Sequence, residues 1–104
     1  MKMILILSAL SAILSAETFT GVITETMCGA KPHTMFKDRP DAECIRLCVK
    51  GPHSYALLDG TNVMKLSDQK TPLQYAARRV KVTGSYDEKT KTLKVTSIEP
   101  LETN

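Results

Sequence analysis

All three cysteines of the chain, Cys28, Cys44 and Cys48, fall in the stretch 28–48 together with His33, one of two histidines. Their spacing reads C-x4-H-x10-C-x3-C. Thiolates and imidazole are soft ligands, and three of the first with one of the second make a closed Cys₃His set, a known composition of structural zinc sites. Zinc is the first expectation on ligand softness, and Cu(I) the second. His53 is the alternative fourth ligand. A disulfide from Cys28 to Cys44 or Cys48 is the rival chemistry. It needs no cofactor and leaves one thiol over for redox work or a partner. A third reading is purely structural, because Cys44, Ile45, Cys48 and Val49 also form an apolar stripe at helical spacing.

The element that must hold two of these ligands is "RPDAECIRLCVKGP". Asp38 or Asp41 can cap a short helix, Gly51 can end it, and Pro52 prevents its continuation. Residues four apart share a helical face with Cβ atoms about 5–6 Å apart, whereas a disulfide wants about 3.5–4.5 Å. A Cys44–Cys48 bond is therefore disfavoured. Two thiolates about 2.3 Å from one zinc can reach it from such a pair.

The opening "MKMILILSALSAILSAETFTG" sets the redox setting. Lys2 is a positive n-region, Met3 to Leu14 an apolar run, and Ser15-Ala16 a small-residue pair. This is the layout of a secretory signal peptide over residues 1–16. The run is short for a membrane span, so no transmembrane segment is expected in the mature chain. A bacterial protein exported to the periplasm or secreted is the expectation. Residues 17–104 then form a single domain with a modest core. Loss of Lys2 lowers the formal charge of +3 by one. Arg78, Arg79 and Lys81 are the only dense basic spot and read as a solvated face.

The rest of the chain reads as strands. "TFTGVITET" is rich in Thr, Val and Ile, with Gly21 at a bend. In "HSYALLDGTNVMKL" two runs, Ser54 to Leu58 and Asn62 to Leu66, flank Asp59-Gly60 as a hairpin turn. "TPLQYAARR" reads as a short helix with Thr71 as N-cap and Pro72 at the first helical position. "RRVKVTGSY" and "TLKVTSIEP" alternate around the polar turn "DEKTK", with Gly84 at a second bend. The order is strand, cysteine segment, strand, strand, short helix, strand, strand. This predicts a mainly β fold, a five-stranded OB-fold-like barrel, with an open five-stranded sheet packed on one helix as the alternative. The predicted core is Val22 or Ile23, Leu57, Leu66, Val80, Val82, Leu93 and Val95.

That fold class does not carry a function with it. Oligonucleotide binding wants aromatic platforms beside a basic groove, and the chain has no Trp and only scattered Phe and Tyr. Nucleic acid is not an expected partner. No nucleophile with an adjacent base stands out among the scattered Asp, Glu and Ser, and a closed thiolate site leaves no open position for substrate. The expected chemistry is binding of a metal ion.

Three segments together, "GVITETMCGAKPH", "DAECIRLCVKGPHSYALLDGTNVMKL" and "RRVKVTGSYDEKTKTLKVTSIEPL", resemble a family of small exported bacterial proteins of uncharacterised function. That family shows a Cys-Gly start followed by a histidine, a D-x-x-C-x-x-x-C-V-K-G helix, a Y-x-[LF]-x-D-G hairpin and a final V-K-V-T-G strand pair. The resemblance covers nearly the whole chain after the signal. It implies that Cys28, His33, Cys44 and Cys48 form the family's recurring Cys/His set. One departure is Pro32, which stands between Lys31 and His33 where the family pattern has the histidine directly after the lysine. The insertion moves the imidazole one residue along the loop.

Overall fold

The computed structural model describes residues 16–27 and 41–101. The signal segment, Cys28 and His33 therefore lie outside the described residues. The chain is mainly β. Five strands, β1 (Glu17–Glu25), β2 (Tyr55–Asp59), β3 (Asn62–Leu66), β4 (Arg79–Asp87) and β5 (Thr92–Pro100), are joined by helix α1 (Asp41–Lys50) and a 3₁₀ helix (Thr71–Tyr75). This is the element order expected from the sequence. No helix among the described residues is long and apolar enough to cross a membrane.

Hydrogen-bonded neighbours run β1-β2-β3-β5-β4, and β4 pairs back onto β1, so the strand pairings close on themselves. β1 makes this possible by changing partner along its length. Glu17 to Val22 pair with β4, and Val22 to Glu25 pair with β2. Gly21 sits just before the handover, where a Cβ would run into the Leu58 carbonyl. Gly84 marks a register shift in the β4–β5 pair, and a Cβ there would strike the Lys94 carbonyl. Both predicted bends are thus places where only glycine admits the neighbouring backbone. The one parallel pairing among the described residues, β3 with β5, spans Lys65–Leu66 against Thr92–Leu93.

Ile23, Leu57, Leu66, Val80, Val82 and Leu93 are completely buried in one cluster, with Tyr55, Met64, Ile45 and Ala76. Val95 packs at the edge of that cluster and is half-buried, as is Val22. The inward parity of β1 therefore belongs to Ile23.

Three local details correct the sequence reading. The hairpin pairs Asp59 with Asn62, so its two loop residues are Gly60 and Thr61, one position later than Asp59-Gly60. Gly60 has φ +66, and glycine at the first central position is what a II′ hairpin turn requires. The segment after β3 is a 3₁₀ helix ending at Tyr75, rather than an α-helix running through Arg79. Its entry is capped from outside by Asp68, whose Oδ1 accepts the N–H of Lys70 at 2.9 Å and of Thr71 at 3.0 Å. Thr71 is thus a residue of the helix and not its cap. The chain leaves the 3₁₀ helix through Ala77, at φ 65, whose N–H donates to the Ile23 carbonyl at 2.9 Å.

Candidate metal centre

α1 forms where its sequence favours a helix. Asp41 and Glu43 lie in the first turn and Lys50 in the last, each at the end where the helix dipole favours its charge. Asp41 is the first residue of the helix, and Asp38 lies outside the described residues. At the other end the Gly51 N–H donates to the Cys48 carbonyl at 3.1 Å, tightening the last turn before Pro52. The helix packs against β1 and buries Cys44, Ile45 and Cys48.

Cys44 is 0% and Cys48 5% exposed, and the two are not bonded to each other. The two cysteines share the buried face of the helix, as their spacing predicts. Ile45 joins the main hydrophobic cluster, and both cysteines are buried with the core.

The approach to Cys28 is fixed by its neighbours. Thr26 donates its N–H to the Ser54 carbonyl at 2.9 Å, and Ser54 N–H donates to the Thr26 hydroxyl at 3.1 Å. This clasp holds the chain leading into Cys28 beside the chain that leaves α1. Glu25 adds to it. Its carboxylate, fully buried, accepts the Met27 N–H at 2.6 Å. Sequence reading passed over Glu25, although its strand parity is that of Ile23 and so points inward. His53, next to Ser54, is half-buried.

Of the predicted ligands, the fold brings Cys44 and Cys48 together, and Cys28 and His33 lie outside the described residues. No group of three or more His, Cys, Asp or Glu side chains able to hold a metal occurs among the described residues. His53 therefore does not complete a three-donor cluster with the two helix thiols. A full set rests on Cys28 and on a histidine.

A second feature of the same helix also escaped sequence reading. Arg46, Val49, Lys50, Tyr55, Gln69, Lys70 and Leu73 line a groove of about 320 Å³ between α1 and the 3₁₀ helix. Arg46 Nε donates to the Leu73 carbonyl at 2.9 Å across it. Burial pushes the Tyr55 phenol pKa up, and the nearby Arg46 charge partly offsets the rise. Only contact between segments far apart in sequence creates this groove, so no local pattern announces it.

Set against known family models, curated proteins and solved structures, the chain matches none of them.

Proposed function

We propose that this chain is a small exported bacterial metal-binding protein. Cys28, Cys44 and Cys48 with His33 (His53 in its place as the alternative) hold one structural or captured ion, zinc first and Cu(I) second. The observation that carries the reading is the pair of buried, mutually unlinked thiols of Cys44 and Cys48 at the i, i+4 spacing of α1. Metal binding takes the thiolate form and so displaces the thiol proton. The donor types fit a soft metal, and the Thr26–Ser54 clasp shortens the loop that Cys28 must close. When bound, the ion supplies a cross-link between the end of β1 and α1, useful in a domain with a modest core.

We further read the closed pairing β1-β2-β3-β5-β4 as an OB-like barrel. The parallel β3–β5 pairing and the 3₁₀ helix between β3 and β4 support it. Export, and membership of the family that the cysteine motif resembles, belong to the same reading.

The test is native mass spectrometry with thiol alkylation, on protein purified without chelator from the exported fraction. One metal per chain and three thiols protected until chelator is added are the expected result, with thermal stability falling on chelation. A metal-free mass short by the two hydrogens of a disulfide, with a single alkylatable cysteine, overturns it. That outcome establishes instead a disulfide-stapled protein with a spare thiol.

A further inference from the structure

α1 turns a different face to the groove from the one that carries its cysteines. Arg46, Lys50 and Lys70 place three cations around the groove, and no carboxylate lines it among the described residues. Asp68, two residues from Lys70, is turned to the backbone of Lys70 and Thr71. Val49, Leu73 and the Tyr55 ring give the groove an apolar body.

Two donors stand ready on this surface. The Nε bond to Leu73 fixes the Arg46 guanidinium, and its Nη nitrogens bond no described residue. The Tyr55 side chain is buried, at 2% exposure, and lines the groove beside Arg46, close enough for the guanidinium charge to act on the phenol. Gln69 keeps the wall rigid. Its Oε1 accepts Tyr55 N–H at 2.8 Å, and its Nε2 donates to the carbonyls of Tyr55 at 3.1 Å and Leu66 at 2.7 Å. An arginine fork and a phenol over an apolar floor are matched by a carboxylate on an apolar body.

We propose that this groove binds a small apolar carboxylate, its anionic end on Arg46 and Tyr55 and its body over Val49 and Leu73. Octanoate, a carboxylate on a short apolar chain, is a probe of that class. The site uses none of the proposed metal ligands and stands or falls separately from them.

The experiment is an amide NMR titration with octanoate on protein purified from cells expressing the whole chain, with octylammonium as the cation of equal chain length. Octanoate is expected to give saturable shifts centred on Arg46, Val49, Tyr55, Gln69 and Leu73, and to bind at least tenfold tighter than octylammonium. Arg46→Gln is expected to weaken octanoate about tenfold or more, as loss of a charge-assisted hydrogen bond does. Tyr55→Phe keeps the ring and so the packing, and is expected to weaken it about threefold. Lys70→Gln, at an exposed position, serves if Arg46→Gln does not fold. Equal binding of octylammonium, absence of saturable shifts, or unchanged affinity in both Tyr55→Phe and Lys70→Gln overturns the proposal.

Discussion

A single carboxylate oxygen, Oδ1 of Asp68, receives the N–H groups of Lys70 and Thr71 and so starts the 3₁₀ helix. Partial burial alone would raise the Asp68 pKa. Hydrogen bonds from the Thr71 side chain and backbone and the Lys70 backbone, with the Lys70 charge, outweigh it and hold the carboxyl below the usual value of 3.8. The sign of the pH effect follows. A depressed carboxylate contributes stability that is fully present above its unfolded pKa and is lost as pH falls through the folded one. Asp68→Ala is expected to cost about 1 kcal/mol near neutral pH, in urea unfolding. The gap to the parent should close well below 3.8. A gap that stays constant with pH would show that the cap acts without its charge. The same residue shows a limit of reading by type. Thr71 followed by Pro72 carries a strong N-cap signature, and an aspartate three residues earlier took the role because the chain turns before the helix begins.

At the scale of elements, β3 and β4 were legible because they bury alternate residues, Met64 and Leu66 in one and Val80 and Val82 in the other, whereas β1 and β2 bury consecutive residues at 23–25 and 55–57. The hairpin was legible from its glycine but displaced by one residue, since Asp-Gly suits one turn type and the strands selected another. Gly21 and Gly84 were read as bends, and their neighbours explain why. Gly84→Ala is expected to cost about 3 kcal/mol, at the high end for one substitution. Its new Cβ meets backbone, the Lys94 carbonyl, which cannot swing aside as a side chain would. Chemical unfolding measures it, and a loss under about 1 kcal/mol would mean that the β4–β5 register shift relaxes easily. The helix pair Cys44 and Cys48 was legible as a face, because i, i+4 spacing needs no tertiary knowledge. Its surroundings were not, since the Thr26–Ser54 clasp and the buried Glu25 come from pairings that sequence periodicity does not encode.

For the molecule as a whole, the parallel pairing between β3 and β5 is a feature that sequence periodicity does not announce. It joins the β2–β3 and β4–β5 hairpins through only two residue pairs. Lys65 N–H donates to the Lys91 carbonyl and Ser67 N–H to the Leu93 carbonyl, each at 3.0 Å, and Ser67 Oγ accepts the Val95 N–H at 2.8 Å. The serine hydroxyl thereby extends a ladder that the backbone alone leaves short. Time enters here. The β2–β3 and β4–β5 hairpins need only local closure, while this seam must wait until both exist, so it forms after them. Ser67→Ala is then expected to speed unfolding several-fold while leaving the refolding rate nearly unchanged, as for contacts absent from the transition state. Stopped-flow chevrons separate the two, and a slowed folding arm would place the seam in the nucleus instead. Until the seam shuts, β3 and β5 are open strand edges, and two copies of the chain meeting in that interval can pair with each other.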